Sequence, residues 1–168
     1  MKQENTVKTL HKSRRYFLGA AALALVAPRI IFAVTKEEKE KWALSRDEWK
    51  ERLTDEQYYV LRREGTERPW TSQFNDEKRE GVYHCAGCDL PLFKSEHKYD
   101  SGTGWPSFFD TIEGAVETKL DFKLVYPRKE YHCTRCGGHQ GHVFKDGPEP
   151  TGLRYCNNGV AITFKAKG

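Results

Sequence analysis

Methionine is all but absent from this sequence: Met1 is the only one in 168 residues. So short a chain can lack a rare residue by chance, but an enzyme working among oxidants also gains from carrying no thioether to oxidise. A long apolar run is missing as well. The run over residues 17–27 would rise ~16 Å as a helix against ~30 Å of hydrocarbon, which excludes a bilayer span built from that run alone. Net charge is missing from most of the chain. Of 28 basic and 24 acidic residues, six and one fall in residues 1–33, which leaves 22 and 23 for residues 34–168. Near-neutrality there excludes an electrostatic nucleic-acid binder, so no nucleic acid is expected as a partner. Beyond a duplicated pair of cysteines there is no internal repeat and no low-complexity tract. The length suits one globular domain with an extension at one end.

What is present begins with a basic start and a short apolar stretch, the form of a targeting segment. Ser13-Arg14-Arg15-Tyr16-Phe17-Leu18 resembles the twin-arginine export signal in both the arginine pair and the Phe-Leu that follows. Residues 1–33 are therefore expected to be a twin-arginine signal peptide, cleaved after Ile31-Phe32-Ala33, with the export machinery as a partner and the periplasm as destination. Left uncleaved, and lengthened by residues 30–34, the segment would act as a membrane anchor. That route carries proteins folded beforehand, which suits a domain that must acquire a ligand in the cytoplasm.

Residues 34–52 read as a helical extension. Thr35-Lys36-Glu37-Glu38 has the capping-box form, and Trp42, Leu44 and Trp49 follow in a charged stretch expected to pack on the outside of the domain. A second capping box, Thr54-Asp55-Glu56-Gln57, opens a helix over residues 55–63 with Tyr58 and Leu61 on one face and Gly65 as its C-terminal cap. From Gly81 onward helical periodicity gives way to short runs separated by Gly, Pro and Asp. Strands are predicted over residues 81–84, 92–93, 115–118, 122–126, 131–132, 142–144 and 154–164, making the core antiparallel β.

Cys85-Ala86-Gly87-Cys88 and Cys133-Thr134-Arg135-Cys136 lie 44 residues apart, each at the end of a predicted strand and each preceded by Tyr-His. Two such turns can offer four soft thiolates to one tetrahedral zinc. The alternatives at this stage are two disulfides, or a redox-active pair of the thioredoxin kind. The gap is longer than a zinc ribbon needs, so an insertion separates the knuckles. Histidines 84, 97 and 132 are not needed as ligands.

Cys156 is left over, in Arg154-Tyr155-Cys156-Asn157-Asn158. It reads either as an inert buried thiol or as a nucleophile. Arg154 and Asn158 share its face if the strand is regular, and a cation there favours the thiolate. Three stretches, Gly102-Thr103-Gly104-Trp105-Pro106-Ser107-Phe108, His139-Gln140-Gly141-His142-Val143-Phe144 and Arg154-Tyr155-Cys156-Asn157-Asn158, stand in order with the Cys pairs between and around them. With Leu53-Thr54 and Gly65-Thr66-Glu67-Arg68-Pro69, they resemble the B-type methionine sulfoxide reductases, enzymes specific for the R epimer at sulfur, from about Leu53 to Phe164.

The resemblance implies a β-tent of two antiparallel sheets with short N-terminal helices, residues 53–168 as the catalytic domain, and one structural zinc per chain on Cys85, Cys88, Cys133 and Cys136, far from the catalytic cysteine. It implies Cys156 as nucleophile, His139 and His142 as active-site histidines, Trp105 as the substrate-pocket wall, and Arg154 and Asn158 as supporting polar residues. Methionine sulfoxide in oxidised proteins would be the substrate, and a thioredoxin-like thiol the reductant. A zinc-ribbon binding module or a thiol-disulfide oxidoreductase are the competing readings. One position departs from the pattern. Many members carry a resolving cysteine where this chain has Thr103, so no spare thiol is left to condense with a Cys156 sulfenic acid. For the N-terminus, a paired Arg14→Lys and Arg15→Lys change should leave folded enzyme in the cytoplasm when cell fractions are assayed; unchanged export would overturn the twin-arginine assignment.

Overall fold

The computed structural model describes residues 34–122 and 127–168. The expected signal peptide, and the strand expected over residues 122–126 beyond an exposed Phe122, lie outside the described residues.

Among the described residues three short helices lead in: α1 (Lys36–Lys41), α2 (Arg46–Arg52) and α3 (Asp55–Arg63). Each opens on a reciprocal capping box, Thr35 with Glu38, Ser45 with Glu48 and Thr54 with Gln57, so two otherwise orphaned backbone donors are satisfied at every start. Two expectations need correction. Trp49 does not lie on the outside; it is buried in the core and stacked on Trp42 at 5.9 Å between ring centroids. A single large indole can anchor an otherwise charged helix, and composition does not reveal that. The cap of α3 is Glu64, in the left-handed region at φ 54, and not Gly65. Gly65 instead sits under the half-exposed Tyr59 ring, which a Cβ at that position would have to displace.

Among the described residues nine strands follow: β1 (Gly81–Cys85), β2 (Pro91–Lys94), β3 (Lys98–Tyr99), β4 (Ser107–Phe108), β5 (Val116–Asp121), β6 (Arg128–Cys133), β7 (His139–Phe144), β8 (Arg154–Asn157) and β9 (Ile162–Ala166). They form two antiparallel sheets, in the orders β2-β1-β9 and β3-β4-β8-β7-β6-β5. The single strand expected over residues 154–164 is in fact two. A 3₁₀ turn at Gly159–Ala161 carries the chain from the larger sheet to the smaller one. The two-residue strands β3 and β4 were hidden by their brevity.

Aromatic rings join the sheets. Phe93 of β2 stacks on Phe108 of β4 at 4.1 Å, and Tyr83 of β1 meets Phe108 edge-on at 5.0 Å. Tyr131 and Tyr155 close the cluster from β6 and β8. Such edge and offset pairs add about 0.5–1.5 kcal/mol each beyond the apolar area they bury. The backbones of β7 and β8 approach so closely at Gly141 that a Cβ would overlap the Cys156 carbonyl oxygen. Gly141→Ala should therefore force β7 off β8 and lower stability by about 3 kcal/mol, the upper end for overpacking. Denaturant unfolding midpoints would check this, and an unchanged midpoint would contradict the packing described.

Candidate active site

Strand pairing lines up one row of polar side chains across the whole larger sheet. Directly opposed residues run Tyr99, Ser107, Cys156, His142, Glu130, Lys119, from β3 through β4, β8, β7 and β6 to β5. Opposed residues in antiparallel pairs share a face, so these side chains lie on one face while Phe108 and Tyr155, one residue along, lie on the other with the core. His139 and His142 are three apart and would face opposite ways on a regular strand. The register shift opposite Tyr131 and His132 inserts one residue in β7 and brings His139 round to the same face as His142. Their ring centroids are 5.4 Å apart.

Each histidine is tied to a buried carboxylate, and each carboxylate to a cation. His139 Nδ1 lies 2.8 Å from Glu130 Oε1, and Lys119 Nζ lies 3.3 Å from Glu130 Oε2. His142 Nε2 lies 2.8 Å from Asp121 Oδ2, which also accepts from Arg128 Nη2 at 2.8 Å. Burial holds His142 below its ordinary range although Asp121 pulls the other way, so its ring is neutral at neutral pH. Burial also works to raise Glu130, but His139 and Lys119 overcome it and hold the carboxylate below its usual range.

Cys156 borders a cavity of about 120 Å³ with Trp105, His142, Asn158, Phe144 and Thr66 among its lining. Trp105 is fixed by its indole N–H, which donates to the Glu67 carbonyl at 3.1 Å. Asn158 has both ends engaged: Oδ1 accepts from Glu67 N at 3.0 Å, and Nδ2 donates to the Gln140 carbonyl at 2.9 Å. The buried Glu67 carboxylate then accepts from the amides of Gly159 and Val160 at 2.7 and 2.9 Å, which pins the turn after β8. Of the residues marked in the sequence, Cys156, His142, Trp105 and Asn158 meet at the cavity. His139 and Arg154 stand behind it.

Arg154 is held by a two-pronged bond to Asp146, at 2.9 and 2.8 Å, with its guanidinium 4.3 Å from the Phe144 ring. The cation does favour the Cys156 thiolate, and so does a hydrogen bond from Thr103, but burial outweighs both and the thiol is pushed above its ordinary range. The pull of the cation toward the thiolate is thus present as the sequence suggests, but burial outweighs it. Glu130, Asp121 and Asp146 went unmarked in the sequence, and Glu67 and Phe144 were given no role of their own. Phe144 closes the histidine stretch, and Glu67 sits in the stretch after α3; the three other carboxylates gain their meaning only from pairing.

The other four cysteines form a buried cluster at the turns after β1 and β6, with all ligand atoms within 4.8 Å of one another. The Cys85–Cys136 and Cys88–Cys133 sulfur pairs are 3.6 and 3.4 Å apart. Four thiolates bound at ~2.3 Å around one tetrahedral ion stand ~3.8 Å apart, so the donor set fits one metal ion and no disulfide joins it. Its neighbours Cys133, Cys136 and Cys88 push the Cys85 thiol well above its ordinary range, a crowding that a cation would relieve. The fully buried Gln140 links this cluster to the cavity. Its Nε2 donates to Cys85 Sγ at 3.4 Å, while its main-chain carbonyl accepts from both Asn158 N and Asn158 Nδ2.

A family model described as the SelR domain matches residues 53–166. Three relatives illustrate the similarity. The chain is 52% identical over 135 residues to the Peptide methionine sulfoxide reductase B1, chloroplastic, of Arabidopsis thaliana, covering 79% of this chain and 67% of that one. It is 54% identical over 123 residues to the Peptide methionine sulfoxide reductase MsrB of Pseudomonas putida (strain W619), covering 72% and 92%. To the Methionine-R-sulfoxide reductase B2, mitochondrial, of Rattus norvegicus it is 49% identical over 135 residues, covering 76% and 78%.

The balance at Cys156 has a direct test. Alkylation of its thiol by iodoacetamide should rise with pH through a midpoint above the ordinary thiol range. Arg154→Met removes the cation, so the midpoint should move higher still and the rate at pH 8 should fall. A midpoint that stays or drops would remove Arg154 from the control of this thiol.

Proposed function

The chain belongs to the SelR-domain family, and from that footing we propose that it reduces the R epimer of methionine sulfoxide, free or within proteins, to methionine with Cys156 as nucleophile. The observation that carries the reading is the cavity itself: one thiol outside the metal-type cluster, faced by a neutral, carboxylate-tethered histidine and walled by two aromatic rings. A zinc-ribbon binding module would leave this arrangement without purpose. A thiol-disulfide exchanger would need a second thiol beside Cys156, where Thr103 and Ser107 stand instead.

Trp105 and Phe144 offer apolar surface to the S-methyl group, and contact between sulfur and an aromatic ring is favourable by about 0.3–1.5 kcal/mol. With the methyl fixed there, only one epimer turns its oxygen toward His142. The Cys156 sulfur attacks the sulfoxide sulfur as its proton passes to the neutral imidazole. The sulfoxide oxygen takes up that proton and transfers to Cys156 as hydroxyl, leaving methionine and a Cys156 sulfenic acid. Substrate sulfur gains two electrons and Cys156 loses two. Asp121 stabilises the transient imidazolium, and Glu130 keeps His139 in place behind it. With a hydroxyl at Thr103, the sulfenic acid is reduced from outside: one thiol forms a mixed disulfide and releases water, and a second frees Cys156.

We assign the cysteine cluster to one structural zinc, which when bound ties the turn after β1 to the turn after β6 and contributes on the order of 10 kcal/mol to folding. Export by the twin-arginine route belongs to the same reading, with an exported thioredoxin-like protein as the reductant. Turnover of separated R and S epimers with a small dithiol is the deciding experiment. Wild-type enzyme holding one zinc per chain should reduce R and not S, and Cys156→Ser should fall to background while keeping its fold. Preference for S, or turnover by the serine variant, would overturn the assignment.

A further inference from the structure

Trp70 presents a fixed aromatic face to water beside the reaction cavity. It is 67% exposed, yet its backbone is held at φ 67, a left-handed conformation that bulky residues seldom adopt. Two contacts hold it there. The Trp70 amide donates to the Gly104 carbonyl at 2.7 Å, and the indole lies so close over Gly104 that a Cβ would stand 2.9 Å from its Nε1 and Cε2. One side of the ring is therefore spent on the 102–105 loop, and the other is free.

Beside it opens a second cavity of about 140 Å³, bordered by Trp70, Tyr99, Pro106, Asn75, Lys98 and Trp105. Trp105 also lines the cavity of Cys156, so one indole is the wall between the two. Three polar groups around the second cavity are engaged within the protein: Lys98 Nζ donates to the Asn75 carbonyl at 2.8 Å, Asn75 Nδ2 donates to the Gly104 carbonyl at 3.2 Å, and Asp100 Oδ1 accepts from Gly102 N at 2.9 Å. Alongside the Asp76 carboxylate and the Tyr99 hydroxyl, which has no hydrogen-bond partner, a visitor meets the exposed ring of Trp70. Neighbouring Cα atoms stand ~3.8 Å apart, so the residue next to an oxidised methionine held against Trp105 is within reach of the far side of that same indole.

The geometry points to a flanking-residue subsite: in a polypeptide substrate, an aromatic side chain adjacent to methionine sulfoxide stacks on the free face of Trp70. The inference rests on the reductase reading above and deepens it, giving the enzyme a sequence preference around the oxidised residue. Trp70 acts here as a specificity-determining residue, remote from the reacting atoms.

The test compares kcat/KM for capped short peptides with Phe or Ala next to R-methionine sulfoxide, alongside N-acetylmethionine sulfoxide, in wild type, Trp70→Ala and Trp70→Phe. Wild type should favour the Phe-flanked peptide over the Ala-flanked one by about two- to tenfold, the range for an aromatic pair. Trp70→Ala should bring that ratio to about one, and Trp70→Phe should restore most of it. Normalising to N-acetylmethionine sulfoxide on the same preparation separates a lost subsite from a damaged fold. A Phe-to-Ala ratio near one in wild type, or one that survives Trp70→Ala, overturns the subsite while leaving the reductase reading intact. Failure of wild type to reduce any of the three substrates overturns the reductase reading instead.

Discussion

Because β8 is paired on both sides, with β4 and with β7, the neighbours of Cys156 are decided by register before any side chain moves. Ser107 stands opposite it on one flank and His142 on the other. A slip of one residue would turn Cys156 into the core and Tyr155 out to solvent. The aromatic stack of Phe93, Phe108, Tyr131 and Tyr155 opposes that slip. Core packing and site geometry are thus one constraint viewed from the two faces of a sheet, and a change made in either face is felt in the other.

The electrostatics follow the same order. Two carboxylates, each almost fully buried, sit between a histidine and a basic side chain: Glu130 between His139 and Lys119, Asp121 between His142 and Arg128. Charge removed from water at this cost is retained where it fixes orientation. Here each carboxylate sets the tilt of a ring. The relay of contacts runs along the strand-to-strand direction, so it needs no loop to hold it.

Much of this was legible in the sequence, and the remainder was hidden for identifiable reasons. Motif spacing sufficed for the four clustered cysteines, because matched Cys-x-x-Cys turns are chemically distinctive; Cys156 and Trp105 were singled out through the resemblance, and the structure sets both on one cavity. Spacing could not show that His139 and His142 share a face, since three residues of β strand argue the reverse until the shift in β7 is known. Nor could it distinguish Glu130 and Asp121 among 24 acidic residues; only the pairing of β6 with β5 and β7 selects them. Trp49 was misjudged because its neighbours are charged, although the indole alone is buried. At Cys156 the local sequence showed a cation but not the burial that outweighs it.

Gln140 gives the fold a property that neither site has alone. Its carboxamide is committed to Cys85 and its main-chain carbonyl to Asn158, while its Oε1 is buried without a hydrogen-bond partner. A residue so placed cannot leave one end without disturbing the other. Local opening of the cysteine turns must therefore loosen the segment after β8, and opening there must loosen the cysteine turns. Gln140, at the start of β7, thus couples the local opening of the cysteine turns to that of the turn after β8.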